Sequence, residues 1–246
     1  MAERVRLDIA LEARGLVQSR ARARDAVLRG TVQVNGVPAA KPGMLVAEDD
    51  RIEVDDPAQR YVSRGALKLI AGLDAGGIEV GGKVCLDLGA STGGFTQVLA
   101  ERGAARIYAV DVGHEQLHAN VRALPGVVSM EGVNVRELTR ETIPEPIEVM
   151  VCDISFVSVT KAIAAPLGLC RAGADAVILI KPQFEVGREH VGKGGIVTDQ
   201  AAISSAIDTV IGFVTAAGWT HRLSVPSPIA GGDGNKETVA LFRRLG

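Results

Sequence analysis

Two ionisable residues stand where apolar runs end: Asp153 after EVMVC and Lys181 after AVILI. Either one alone reads as a surface cap. Together, on neighbouring strands beside a glycine-rich turn, they read as a site, because open α/β sheets bind ligands outside the carboxyl ends of their strands. Such a pair could manage one proton at a weakly nucleophilic hydroxyl. A lysine whose pKa is lowered by desolvation and a nearby cation removes it, and a carboxylate keeps that lysine in line. Pro182 restricts Lys181 to an extended backbone, which helps fix its direction.

The turn lies upstream, where CLDLG runs into ASTGGF and then a helix. Small residues let a ligand approach the backbone, and the helix start offers free N–H groups. The P-loop pattern G-x-x-x-x-G-K-[ST] is absent, and Gly89-Ala90-Ser91 interrupts a dinucleotide fingerprint. Asp111 closes the second strand 22 residues after Gly89, where a carboxylate can accept from both hydroxyls of a ribose. A plain helix cap is its other reading. Asn134, after the third strand, is placed to reach an adenine. The spacing D-x-G-x-x-x-G-G resembles the first motif of S-adenosylmethionine-dependent methyltransferases, with an NAD enzyme as the competing use of the same turn. The resemblance implies S-adenosylmethionine as cofactor. It assigns the binding of that cofactor to Asp87, Gly89, Ala90, Ser91, Thr92, Gly93, Gly94, Phe95, Asp111, Asn134 and Asp153.

Strands and helices must alternate to hold these residues. The pattern predicts strands at VCLDLGA, RIYAVDV, VVSMEG, IEVMVCDIS and AVILIKP, with two more at the C-terminal end. Helices are expected through Leu99, near 114–123, near 160–171 and near 200–217. AVILI is apolar on both faces, as parallel strands covered by helices are. The fold class is α/β, a doubly wound Rossmann-like sheet. Ahead of it YVSRGALKLIAGL predicts a helix capped by Ser63, with Leu67, Ile70 and Leu73 on the buried stripe and Lys68 off it.

Composition bounds the function. The chain has 246 residues, 47% apolar and 23% charged, which is globular rather than disordered. Its net charge of −2 excludes a uniformly basic nucleic-acid coat but not a basic patch. Cys85, Cys152 and Cys170 form no even framework and no C-x-x-C, so neither disulfides nor a zinc ribbon is expected, and no metal site. No uncharged run approaches the roughly 18 residues of a membrane span. MAERVRLDIALEARG lacks the apolar run of a signal peptide. A cytoplasmic monomer with no membrane contact is expected.

Residues 1–60 differ from residues 61–246. Arg4, Arg6, Arg14, Arg20, Arg22, Arg24, Arg29 and Lys41 face only three acids before the acidic EDDRIEVDD. Leu7, Ala10 and Leu11 predict one helix ending near Gly15; Ser19 caps a second that stops at Gly30. TVQVNGVPAA is a hairpin about Asn35-Gly36, and DRIEV is a third strand. The run LDIALEARGLVQSRARARDAVLRGTVQVNG resembles the RNA-binding domain first described in ribosomal protein S-four, the alpha-L fold. That likeness makes residues 1–60 a small α+β RNA-binding domain with its linker, and Arg4, Arg6, Arg20, Arg22 and Arg24 its RNA-contacting set. A solvated arginine-rich helix is the bland reading. Such modules work by phosphate neutralisation and shape.

The remainder resembles the TlyA-type family, whose catalytic half is similar to the FtsJ/RrmJ ribose methyltransferases. The likeness rests on YVSRGALKL, DLGASTGGFT, YAVDVG, CDISF, KPQFEVGRE and SPIAGGDGNKE. The family's Lys-Asp-Lys-Glu tetrad falls on Lys68, Asp153, Lys181 and Glu237. The resemblance implies 2′-O-methylation of ribosomal RNA, of cytidines in TlyA-type members, on free RNA or ribosomal subunits. In that scheme Lys181 steers or deprotonates the hydroxyl and Asp153 orients Lys181 and the donor. Lys68 lowers the lysine pKa and binds RNA, and Glu237 fixes one of the lysines. The chemical alternative is base N-methylation through Asp153-Ile154-Ser155-Phe156, though both prolines of a D-P-P-F motif are missing. Phe156 would then, or in either case, stack a splayed nucleotide, or else pack on the fourth strand. The haemolysin label of the family, a membrane-acting protein without transfer activity, finds no apolar span here. GREHVGKGGIVTD reads as a mobile lid or an ordinary surface loop.

Overall fold

The computed structural model describes residues 4–246. They fall into two compact units, Met1–Arg60 and Tyr61–Gly246. In the first, strand β1 (Val5–Arg6) leads into helix α1 (Leu7–Ala13), and α2 (Arg20–Leu28) follows. Leu7, Ala10 and Leu11 bury against Ala23, Ala26 and Val27, the spacing of one face on each helix. Ser19 caps α2 by accepting the Arg22 N–H at 3.3 Å. Strands β2 (Val32–Val34) and β3 (Val37–Pro38) join through Asn35 and Gly36, whose φ angles are 54° and 76°. Positive φ at both positions is what that tight turn demands. Strand β4 (Leu45–Val46) pairs with β1, and β5 (Ile52–Val54) with β2. The β1–β4 ladder is absent from the sequence reading, because two residues per strand are too few to display an alternation.

The second unit runs α3 (Ala66–Gly76), β6 (Val84–Leu88), α4 (Gly94–Glu101), β7 (Arg106–Asp111), α5 (Ala119–Arg122), β8 (Val127–Glu131), β9 (Ile147–Cys152), α6 (Val159–Ala162) and α7 (Ala164–Leu169). Then come β10 (Cys170–Ile180), α8 (Pro182–Glu185), α9 (Gln200–Ala216), β11 (Trp219–Pro226) and β12 (Thr238–Arg244). Seven strands form one sheet in the order β11-β12-β10-β9-β6-β7-β8. Strands β6 to β10 are parallel, and β12 runs antiparallel between β10 and β11. The chain winds outward from β6 through β7 to β8, then returns to β9. The carboxyl ends of β6 and β9 therefore flank the switch point where such sheets bind ligands.

Side chains alternate strictly across this sheet. Val149, Val151, Val177 and Leu179 pack with Leu69, Leu73, Val98 and Leu99 of α3 and α4. Met150, Cys152, Ile178 and Ile180 pack with Leu167, Val210 and Val214 of α7 and α9. Both faces are covered, which is why these strands read as continuous apolar runs. Among the described residues, no helix is long and apolar enough to cross a membrane.

Four expectations change. Ser63 does not cap α3: the residue preceding the helix is Gly65, whose N–H donates to Ser63 Oγ at 3.1 Å. The helix near 114–123 shrinks to α5, because the Glu131 carboxylate accepts the N–H groups of Gln116 and Leu117 at 2.6 and 3.0 Å. The helix near 160–171 breaks into α6 and α7 at Ile163, since Pro166 would clash with the carbonyl four residues back. On α3 the buried stripe is Ala66, Leu69 and Leu73 with Lys68 and Gly72, while Leu67 and Ile70 are half-buried. Here the helix backbone itself approaches the sheet. A Cβ on Gly72 would stand 2.8 Å from Cγ1 of both Val177 and Val239.

Replacing Gly72 by Ala is expected to lower stability by about 1–2 kcal/mol, as overpacking outweighs the better helix propensity of alanine. A lowered thermal midpoint of the full chain checks this; a raised one contradicts the tight contact.

Candidate active site

Strand parity assembles the site. Asp153 continues the Val149–Val151 series of β9, Lys181 the Val177–Leu179 series of β10, and Glu237 the Leu241–Val239 series of β12. All three series face α3, which carries Lys68. Glu237 lies one step beyond the Ile180–Thr238 pair, the register position opposite Lys181. Four residues far apart in sequence thus share one face at one end of the sheet.

Lys181 Nζ stands 2.7 Å from Asp153 Oδ1. It donates to Ser155 Oγ at 2.8 Å and to the Asp153 carbonyl at 3.1 Å. Ser155, which sequence reasoning missed, thus shares in fixing the ammonium. Lys181 has extended backbone, φ −109° and ψ 105°, as Pro182 requires. Lys68 Nζ donates to Glu237 Oε2 at 2.5 Å, with both side chains buried. Glu237 therefore holds Lys68.

The turn after β6 is built for close backbone approach. Gly89 has φ 81°, and a Cβ there would lie 3.0 Å from the Asp153 carbonyl oxygen. The Asp153 N–H donates to the Leu88 carbonyl at 2.9 Å, which ties the two strand ends together. Ala90, Gly93 and Gly94 are buried, and Ser91 and Thr92 are exposed. Ser91 has φ 46°, and Asp111 Oδ2 accepts its N–H at 2.8 Å while Oδ1 accepts that of Gly113 at 2.8 Å. Each oxygen of Asp111 keeps a second lone pair. Asn134 Oδ1 accepts the Arg136 N–H at 3.1 Å, so the carbonyl caps a short helical turn and the amide N–H groups remain. Phe95 is buried in the core between α3 and the sheet.

Asp87 is fully buried. Its Oδ2 accepts the Thr96 hydroxyl at 2.6 Å, and its Oδ1 has no hydrogen-bond partner. Burial pushes its pKa up to about 7, aided by the charges of Asp153 and Asp111 and opposed by the Thr96 bonds. An orphaned buried acceptor beside the glycine turn suits a cationic ligand group.

Phe156 does not pack on the sheet. It is 92% exposed with φ 70°, and its ring meets Phe184 at 5.5 Å between centroids. The loop over residues 187–199 is pinned by another residue missing from the sequence reading. Buried Asn235 accepts the Val197 N–H at 2.9 Å and donates to the Gly195 carbonyl at 2.8 Å.

In the first unit Arg4 and Arg24 are exposed and Arg22 is half-buried. Arg6 and Arg20 both bond Asp8, at 2.9 and 3.2 Å. Arg20 and Arg24 share the exposed face of α2.

Residues 61–244 match the FtsJ-like methyltransferase family model, and residues 5–52 match the S4 domain model. The chain belongs to the FtsJ-like methyltransferase family. It is similar over its whole length to the Mycobacterium tuberculosis 16S/23S rRNA (cytidine-2′-O)-methyltransferase TlyA, with 43% identity over 245 residues, 99% of this chain and 91% of the relative. Hemolysin A of Brachyspira hyodysenteriae is 39% identical over 97% of this chain and 99% of its own. A Streptococcus thermophilus structure, provisionally named a hemolysin, superposes with TM-score 0.76 at 34% identity, covering 100% of this chain and 90% of its own. The methyl donor is S-adenosylmethionine, and the enzyme is an RNA methyltransferase.

The raised pKa of Asp87 sets a pH dependence. A carboxyl lifted from about 3.9 in the unfolded chain stabilises the fold fully below that value, and its contribution fades as pH rises towards about 7. The donor-free protein should lose thermal stability across that interval. Asp87→Asn should flatten that part of the curve; an unchanged slope in melts from about pH 4 to 8 would contradict the assignment.

Proposed function

We propose that the second unit transfers a methyl group to a ribose 2′-hydroxyl of ribosomal RNA, at cytidine as the TlyA relatives are named, and that the first unit supplies RNA affinity. The observation that carries this reading is the contact of Lys181 with Asp153 beside the Gly89 turn, 2.7 Å between Nζ and Oδ1. Asp111, Ser91, Thr92 and the buried glycines would hold the nucleoside end of S-adenosylmethionine, with Asn134 towards its base. The unpartnered oxygen of Asp87 would take its ammonium group. When bound, the cofactor supplies a methyl already activated on a sulfonium, so the protein has mainly to align the acceptor and manage one proton.

Lys181 does the aligning. An ammonium has three donors and no lone pair. Ser155 Oγ and the Asp153 carbonyl each accept one of them, and Asp153 Oδ1 lies 2.7 Å from Nζ as its counter-charge. A ribose hydroxyl replaces Ser155 Oγ as one of these partners, which fixes the position of its oxygen. As that oxygen forms its new bond its proton becomes strongly acidic, and the Asp153 carboxylate is the acceptor at hand. Lys68 and Glu237 form the wall behind this pair. Breaking them apart would leave a buried charge uncompensated, at a cost of about 3–5 kcal/mol.

Phe156 supports the RNA side of the reading. A ring held outward in a positive-φ conformation, three residues from Asp153, is a stacking surface for an unpaired base.

Lys181→Ala should reduce methyl transfer to ribosomal subunits about 100-fold or more, while binding of the donor persists. Labelled methyl transfer, followed by mapping of alkali-resistant linkages, checks both the loss and the ribose assignment. Turnover at the parental rate would remove the mechanism. Phe156→Ala should raise the apparent KM for RNA by about 5- to 100-fold, the loss of one stacked base, without altering donor affinity. Steady-state kinetics with each substrate varied in turn decides this.

A further inference from the structure

The first unit holds a buried carboxylate for which methyl transfer has no use. Asp8, in the first turn of α1, has no solvent exposure. Its Oδ1 accepts Arg6 Nε at 3.0 Å, and its Oδ2 accepts Arg6 Nη2 at 2.9 Å and Arg20 Nε at 3.2 Å. One carboxylate therefore ties an arginine from β1 to an arginine that opens α2. A purely structural ion triad would bury its cations too. Here the two arginine side chains remain 44% and 49% exposed. Arg6 Nη1 and both Nη groups of Arg20 donate to no acceptor among the described residues. Gly43 leaves room for this arrangement, since a Cβ there would meet Arg6 Nη1 at 3.0 Å. Two guanidinium groups and one carboxylate leave a net single positive charge with outward donors, the complement of a phosphodiester.

We propose that Asp8 is a positioning residue for RNA, holding Arg6 and Arg20 as a preformed fork for a backbone phosphate. The proposal rests on the reading that the first unit binds RNA. A free arginine surrenders rotamer freedom when it grips a ligand, whereas a side chain already fixed loses little. Guanidinium groups held in orientation can also present paired donors to phosphate oxygens. The consequence runs against simple Coulomb counting: neutralising this acid makes the protein more positive yet weakens its hold on RNA.

The test uses the full chain, titrated with purified 30S and with 50S ribosomal subunits at one fixed salt concentration. Asp8→Asn is expected to weaken binding about three- to tenfold, and Arg20→Ala should cost less in that background than in the parent. Unchanged or tighter binding by a folded Asp8→Asn protein overturns the proposal, as does an equal Arg20→Ala penalty in both backgrounds. Thermal melts and limited proteolysis report whether the first unit stays folded. If Asp8→Asn unfolds it, Arg6→Lys carries the test, because lysine keeps the charge but cannot make the two-point bond. A several-fold loss then supports the fork, and parental affinity overturns it. Replacing Arg6 and Arg20 together by Ala should weaken binding and flatten its salt dependence. If that double variant binds as well as the parent, the RNA-binding reading of the first unit itself fails, and the fork with it. Loss in the double variant alone sinks only the role of Asp8.

Discussion

Period-two alternation along three strands is the constraint on which the catalytic unit depends. Once Val151, Leu179 and Val239 must face α3 to close the core, Asp153, Lys181 and Glu237 have no freedom to face elsewhere. The same burial that stabilises the sheet aims the charged residues at its carboxyl end. A one-residue slip of any of these strands would send its charged residue to the opposite face and its valines against the wrong helices, so register and the placing of the charges are specified by the same packing. Lys68 joins from a helix whose backbone is drawn against the sheet at Gly72, close enough for its ammonium to reach Glu237.

The charges so assembled are arranged in compensating pairs rather than left isolated. Lys68 meets Glu237, Lys181 meets Asp153, and in the first unit Asp8 meets two arginines. Asp87 is the exception, a buried carboxyl that pairs with no cation among the described residues and whose Oδ1 has no hydrogen-bond partner. Unpaired buried charge is costly, and the elevated pKa of Asp87 reflects the cost. Pairing keeps the lysines in place before substrate arrives, which is the preorganisation that alignment of a hydroxyl calls for.

Much of this was legible in the residues. The alternating pattern, the apolar runs and the glycine turn pointed to a doubly wound sheet, and the residues that follow β9 and β10 marked the site by their abrupt change of polarity. Lys68 was harder to read. Helical periodicity put it off the buried stripe, because Leu67, Ile70 and Leu73 make a plausible face; the true face is displaced by the close approach at Gly72, which depends on two valines distant in sequence. Ser155, Asn235 and Asp8 gave no signal for a similar reason. A small polar residue carries no periodicity, and its importance lies in partners that only the fold brings near. Phe156 ran the other way: an aromatic beside a strand usually packs on it, and here the backbone conformation turns the ring out.

The position of β12 carries a further consequence. It is the last strand of the sheet in chain order, yet it inserts between β10 and β11, both made before it. Without Val239 and Leu241 in place, β10 and β11 lack the strand that joins them, and Lys68 lacks its counter-charge. The same strand therefore completes the sheet and supplies the partner of a buried lysine, so neither is achieved without the other.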